Sequence, residues 1–188
     1  IKGTPKGIAL VVDGNGRYSY LDPFAGGAMA VAEAVRNLAC VGARAIALTD
    51  CLNFGNPEKS DVAWQFEQCI RGMAEACRVL DVPVISGNVS FYNETRGEAV
   101  YPTPTVGMLG LLPDISKRCT MSFKMERDVV VLIGEGKGSL AGSEYLEIFH
   151  RKVAGVPAIS LDMEKRLVEC LLAAIGEGLL HSAHDCSD

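Results

Sequence analysis

A basic excess is what this chain most clearly lacks. Lys and Arg number 18 against 23 Asp and Glu, a net charge of −5 with the 3 histidines neutral. That balance excludes the electrostatic footprint of a DNA- or RNA-binding surface. It does not exclude a nucleotide, whose phosphates are handled locally by backbone amides and a divalent cation. No apolar run reaches the roughly 20 residues of a membrane span, so no membrane partner is expected. The start, Ile1 to Gly7, has no apolar core of a secretory signal. Ile1 stands where an initiator Met would, and the chain reads as trimmed.

Paired cysteine motifs are also missing. The 7 cysteines are Cys40, Cys51, Cys69, Cys77, Cys119, Cys170 and Cys186, and no two have CxxC spacing, which argues against a zinc site. An odd number with no secretory signal fits reduced thiols and a cytoplasmic location. Most are expected to act as small buried apolar residues. Internal repeats and low-complexity segments are absent. With 48% apolar and 22% charged residues, what remains is an ordinary globular composition.

Two polar clusters stand out, Thr49 to Pro57 (TDCLNFGNP) and Ser86 to Asn93 (SGNVSFYN). Each follows a short apolar run, Ala43 to Leu48 and Val82 to Ile85, so each is expected as a loop at the carboxyl end of a strand. Ligands favour such ends in α/β arrangements. Gly lets a backbone approach, Asp and Asn offer hard oxygens to Mg²⁺, and Ser donates a hydrogen bond. The same residue types also make ordinary turns.

Periodicity orders the rest. Gly7–Val12 reads as a strand, Asp13 to Gly16 as a tight turn, and Arg17–Leu21 as a returning strand. Ala28–Val41 and Lys59–Leu80 carry helical apolar stripes, the latter ended by Asp81 and Pro83. Ala43–Thr49, Val82–Ile85 and Thr105–Leu112 complete an α+β unit, a mixed sheet with helices on one face, in the order ββαβαβ plus one strand. Residues 113–127 lack periodicity and are expected as a linker between a domain at 1–112 and a second unit at 128–188. In that unit Val129–Ile133 reads as a strand, 143–151 and 162–175 as helices. At roughly 60 residues the unit is marginal as a core by itself. Gly134 to Ser139 matches neither GxxxxGK[ST], since Val131 stands where the first Gly belongs, nor GxGxxG, since Ser139 replaces the last. His184, Asp185 and Asp188 form a further candidate Mg²⁺ cluster at the terminus.

The blocks TDCLNFGNP, GNVSFYNET and YPTPTVGMLGLL, with DGNGRYSYLDPFAGGAMAVAEAVRNLACVGA upstream and LAGSEYL and SAHDCSD downstream, resemble the synthetase subunits of the phosphoribosylformylglycinamidine synthase family. These belong to an ATP-binding superfamily with aminoimidazole ribonucleotide synthetase. The resemblance implies a second N-terminal-type domain, barrel-forming by pairing, and the start of a C-terminal-type α/β domain that stops at Asp188 where the family pattern continues. It implies a ligase reaction of purine biosynthesis: formylglycinamide ribonucleotide, ATP and glutamine-derived ammonia give formylglycinamidine ribonucleotide, ADP and phosphate. By carry-over, Asp50 and Gly87 contact ATP, Asn88 ligates Mg²⁺ and Ser90 binds the ribonucleotide. Gly142 to Glu144 would form a glycine-rich loop near the nucleotide. The catalytic histidines would lie in a domain outside this chain, leaving the chain inactive alone. Implied partners are a glutaminase subunit and a small accessory subunit. In place of the missing domain, a homodimer through the strands is expected. Two alternatives stay open: a structural nucleotide-binding module, and another enzyme of the superfamily, against which DCLNFGNP and GNVSFYNET argue.

Overall fold

The computed structural model describes residues 1–134 and 138–187. Its centre is a four-stranded mixed sheet in the order β1-β6-β2-β3. The strands are β1 (Gly7–Asp13), β2 (Arg44–Asn53), β3 (Val84–Ser90) and, after a small hairpin of β4 (Glu94–Thr95) and β5 (Glu98–Ala99), β6 (Thr103–Leu112). β6 runs antiparallel to β1 and β2, while β2 and β3 are parallel. The parallel pair is joined by a 21-residue crossover helix, α3 (Ser60–Leu80), as parallel pairing requires. The expected α+β class, with helices on one face, is the architecture found.

β6 shows why one face is covered. Pro104, Val106, Met108, Gly110 and Leu112 are buried, and the residues between them are half-exposed. That period of 2 is the pattern of a strand with one face in the core. Over the buried face lie α2 (Pro23–Cys40) and α3. Val31, Val35 and Leu38 of α2 and Cys69, Met73 and Cys77 of α3 enter one core with Leu48, Val106 and Met108. Cys40 and Cys119 join them, so 4 of the 7 cysteines are buried and act as small apolar residues.

One expected strand is a helix. Arg17–Leu21 lies in α1 (Gly16–Leu21). The Asn15 side chain accepts hydrogen bonds from the Arg17 and Tyr18 N–H groups at 3.0 and 3.4 Å, an N-cap that commits the chain to a helical turn. Asp22 then closes α1 and opens α2: its N–H bonds the Tyr18 carbonyl, and its carboxylate accepts from Ala25 N–H. Pro23 follows at the first helical position, where its missing N–H costs nothing. The observed order is βααβαβ, then the hairpin and β6.

The second expected strand, Val129–Ile133, forms no ladder among the described residues. Val129 and Val130 are 86% and 76% exposed. Apolar pattern alone does not make a strand when no neighbouring edge receives its N–H and C=O groups. The helix at 162–175 does form, as α5 (Leu161–Gly176), after a short α4 (Glu144–His150). α5 closes Val168, Leu171 and Ile175 onto the same core as α2 and α3. Residues 113–127 are pinned at several points: Ile115 N–H bonds the Pro5 carbonyl, and Cys119 N–H bonds the Val41 carbonyl. No helix among the described residues is long and apolar enough to cross a membrane.

α2 and α3 approach closely because both carry glycine at the crossing. A Cβ on Gly72 would lie 1.9 Å from the Phe24 carbonyl oxygen, and one on Gly27 2.4 Å from that of Cys69. Both obstacles are backbone and cannot swing aside. Gly72→Ala should therefore destabilise the fold by about 1–3 kcal/mol, despite alanine's better helix propensity. Urea unfolding measures this, and an unchanged midpoint would show that the crossing has slack.

Candidate functional site

The two polar clusters meet side by side. β2 and β3 pair in register as Thr49–Ser86, Asp50–Gly87, Cys51–Asn88, Leu52–Val89 and Asn53–Ser90. Residues expected as loops, Asp50 to Asn53 and Gly87 to Ser90, are therefore the last turns of the strands themselves. The ladder takes up their backbone groups, which is why these turn-prone residues stay extended.

Paired residues in a sheet point to the same face, and successive ones to opposite faces. Asn88 and Ser90 accordingly share one face, the open one, together with Thr49, Ser86, Cys51 and Asn53. The Thr49 and Ser86 hydroxyls are 3.0 Å apart. β6 extends this polar surface through Thr105, opposite Cys51, and Thr103, opposite Asn53. Asp50 and Gly87 look to the other face, toward α3, where the Asp50 charge acts on the buried Cys77 thiol. A Cβ at Gly87 would sit 2.4 Å from Asp50 Oδ1, so glycine makes room for that carboxylate. The fold brings the four expected site residues onto adjacent rungs but splits them between two faces. The Thr49, Ser86, Thr103 and Thr105 hydroxyls, unlike that of Ser90, carry no assignment from sequence. Their only signal is alternation, which becomes readable once the strand boundaries are known.

Behind the site the following loops are tied down. Phe54 is fully buried and meets Phe66 edge-on at 5.2 Å, and Phe66 meets Phe91 at 5.0 Å. The Asn93 amide donates to the Phe54 and Ser90 carbonyls at 3.0 and 2.8 Å. Asn53 donates to the Cys51 carbonyl, and Asn56 accepts from Glu58 N–H. These three amides do the turn-making work that their residue type predicts. Ser90 Oγ is 3.3 Å from Asn93 Oδ1. The Asn88 amide and the Asp50 carboxylate, by contrast, make no hydrogen bond among the described residues. Burial alone pushes the Asp50 carboxyl above its ordinary value.

The terminal cluster is used differently. Asp185 is buried against Arg36, whose guanidinium also bonds Glu164 and Ser187. That carboxylate is turned into an ion-pair network, and Asp188 lies outside the described residues. Glu135, Gly136 and Lys137 of the glycine-rich stretch also lie outside them. Gly142 rests on Tyr18 of α1, and Glu144 pairs with Arg17, which places the Gly142 to Glu144 segment against α1. No three His, Cys, Asp or Glu among the described residues are grouped to hold a metal ion.

Comparison with known proteins gives concordant results. The family model "AIR synthase related protein, N-terminal domain" matches residues 2–112. The phosphoribosylformylglycinamidine synthase subunit PurL of Moorella thermoacetica is 61% identical over the whole of this chain, and that of Caldanaerobacter subterraneus subsp. tengcongensis 58%. The chain spans 26% of the length of each. Among solved structures, phosphoribosylformylglycinamidine synthase II of Thermotoga maritima aligns over 65% of this chain and 20% of its own, with a TM-score of 0.60 and 32% identity. PurL of T. maritima complexed with ATP aligns over 63% of this chain and 20% of its own, with a TM-score of 0.58 and 34% identity.

Asp50 yields a pH prediction. Its folded carboxyl titrates above the unfolded one, so the neutral form favours folding. That contribution is complete below the unfolded value of about 3.9 and is lost as pH rises through the raised folded value. Asp50→Asn should thus raise the melting temperature at neutral pH by at most a few degrees, since the group is half-exposed and screened. The gain should vanish below about pH 4. Thermal melts from pH 3.5 to 7.5 test this, and a variant less stable at pH 7 would contradict it.

Proposed function

The chain belongs to the AIR synthase related family, and we propose that it forms one nucleotide-handling module of a phosphoribosylformylglycinamidine synthase. The reaction is the ATP-dependent conversion of formylglycinamide ribonucleotide and glutamine-derived ammonia to formylglycinamidine ribonucleotide, ADP and phosphate. One observation carries the reading. Of the polar groups clustered at the ends of β2 and β3, Asp50 and Asn88 are left without hydrogen bonds among the described residues, while Asn53, Asn56 and Asn93 are engaged with backbone. Holding the partly buried Asp50 carboxylate unspent costs stability and is typical of ligand sites, while the exposed Asn88 amide can exchange water for a ligand. A relative 61% identical over the whole chain supplies the chemistry. PurL of T. maritima has also been solved with formylglycinamide ribonucleotide, abbreviated FGAR.

In this reading Asp50 and Gly87 contact ATP, with Gly87 permitting close approach of ligand to backbone. Ser90 hydrogen-bonds the ribonucleotide. Mg²⁺ is a hard cation that takes oxygen ligands and keeps several waters, and it would neutralise phosphate charge. The residues present fit it in part. Asn88 offers one neutral oxygen at an exposed strand end, with hydroxyls rather than carboxylates around it. Asn88 would therefore be one ligand among several, the rest coming from phosphates and water. This chain's own contribution is to bind and orient, and no residue here is assigned a proton transfer. The division into an N-terminal-type module at 1–112, a connection at 113–127 and the start of a C-terminal-type module at 128–188 belongs to the same proposal. So do a cytoplasmic location and the glutaminase and small accessory subunits as partners, the latter supported by the solved PurLQS structure from T. maritima.

The open sheet face supports self-association. Ile8, Leu10 and Val12 of β1 are 55%, 79% and 72% exposed, in register with Leu111, Leu109 and Gly107 of β6. A contiguous apolar face of this kind seeks cover, and a second copy related by a two-fold axis is the simplest cover for an isolated chain. Sedimentation at tens of micromolar should report a dimer that Leu10→Glu converts to monomer. A monomeric wild-type chain would overturn this.

Calorimetric titration tests the site. The chain should bind Mg·ATP, and Asn88→Asp should alter the Mg²⁺ concentration needed for half-maximal binding by about tenfold while moving the melting temperature little. Absence of Mg·ATP binding would overturn the nucleotide-site reading, and an unchanged Mg²⁺ requirement with a large fall in melting temperature would make Asn88 structural.

A further inference from the structure

The polar surface of the open face ends at an aromatic pair that none of the assignments above uses. Thr103 stands opposite Asn53, which stands opposite Ser90. The Thr103 hydroxyl donates to the Tyr101 carbonyl at 2.8 Å, and the Tyr101 ring stacks on Tyr20 of α1 with centroids 4.6 Å apart and planes at 29°. Gly16, at the start of α1, lies against both residues: a Cβ there would meet Thr103 Oγ1 at 2.9 Å and the Tyr101 Cβ at 3.3 Å. Backbone from α1 is thus packed onto the end of the polar surface, with the ring pair beside it. The pair is not spent in the core. Tyr20 is 48% exposed and Tyr101 43%, so each ring keeps surface toward solvent while its other side is held by its neighbour.

We propose that Tyr20 and Tyr101 form a stacking platform for the heteroaromatic base of the bound nucleotide. This rests on the reading of the module as an ATP site. Two properties favour a base over other occupants. A pre-stacked pair presents a flat π-surface whose orientation is already fixed, and base–aromatic stacking needs little else. Of the two small molecules assigned to this module, ATP alone has an aromatic ring system, since formylglycinamide ribonucleotide carries an open-chain amide on its ribose. The spacing is suitable as well. Ser90 is two strand spacings from Thr103, roughly 10 Å, and Asn88, the expected Mg²⁺ ligand on the same face, lies two residues further back along β3, roughly 7 Å. An extended nucleoside triphosphate covers such distances between base and terminal phosphate.

The test separates base from phosphates. Mg·ATP and Mg·tripolyphosphate are titrated into the wild-type chain and into Tyr101→Leu, Tyr20→Leu, Tyr101→Phe and Tyr20→Phe. Leucine keeps an apolar contact for α1 and removes the π-face, whereas phenylalanine keeps both. The leucine variants should bind Mg·ATP roughly tenfold more weakly or worse. They should hold Mg·tripolyphosphate as wild type does, and the phenylalanine variants should match wild type for both. Leucine variants that bind Mg·ATP normally, or that lose both ligands together with melting temperature, would reduce the pair to a staple between α1 and β6 and overturn the proposal. If the wild-type chain binds neither ligand, the nucleotide-site reading itself fails, a result distinct from the failure of the platform alone.

Discussion

Each candidate binding group looks toward the side of the molecule that the parallel ladder between β2 and β3 dictates. A shift of β3 by one residue would move Asn88 and Ser90 under α3 and bring Gly87 to the open face, while β6 keeps Asp50 where it is, because side chains alternate with period 2. The register is held from behind. Phe54 is buried against Phe66, Phe66 against Phe91, and the Asn93 amide joins the chain ends after both strands. Each aromatic contact contributes about 0.5–1.5 kcal/mol beyond area burial. Together they fix two glycine- and asparagine-rich segments that would otherwise be mobile.

The covered face makes this possible. α2 and α3 cross at Gly27 and Gly72 with no room for a methyl group, which seats α3 tightly against α2 on the covered face. α3 then spans the distance that parallel strands need and delivers the chain to β3 in register with β2. The same packing partly desolvates Asp50 and leaves Gly87 as the one residue type that tolerates the carboxylate beside it. Stability and site are thus coupled: the burial that orders the strands also raises the free energy of the charged Asp50, and a bound ligand that offsets that charge would return the difference.

The open face carries a division of labour. β1 and its β6 neighbours present Ile8, Leu10 and Val12, an apolar surface suited to another sheet. The ends of β2 and β3 present hydroxyls and one unspent amide, suited to phosphate and sugar. Both belong to one continuous sheet, so covering the apolar half would wall the polar half and exclude water from it. In such a site hydrogen bonds and charges act more strongly than they do in solvent.

Much of this was legible in the residues themselves. The α3 stripe, the period-2 alternation of β6 and the α+β class follow from spacings that burial enforces, and several blocks of nine or more residues were enough to indicate the family. Asp50, Gly87, Asn88 and Ser90 could be named because the two clusters match the family's motifs position by position, whereas their residue types alone fit ordinary turns equally well. Sequence did not decide α1, because Asn15 is equally at home in a hairpin turn and an N-cap, and only packing of Ser19 under Gly26 settles which. Nor did it decide Val129–Ile133, whose strand-like pattern has no neighbouring edge to pair with. The split of the four expected site residues between two faces is likewise tertiary. Local chemistry chose which residues could bind, while facing depends on register, and register is set by contacts between segments more than thirty residues apart in the chain.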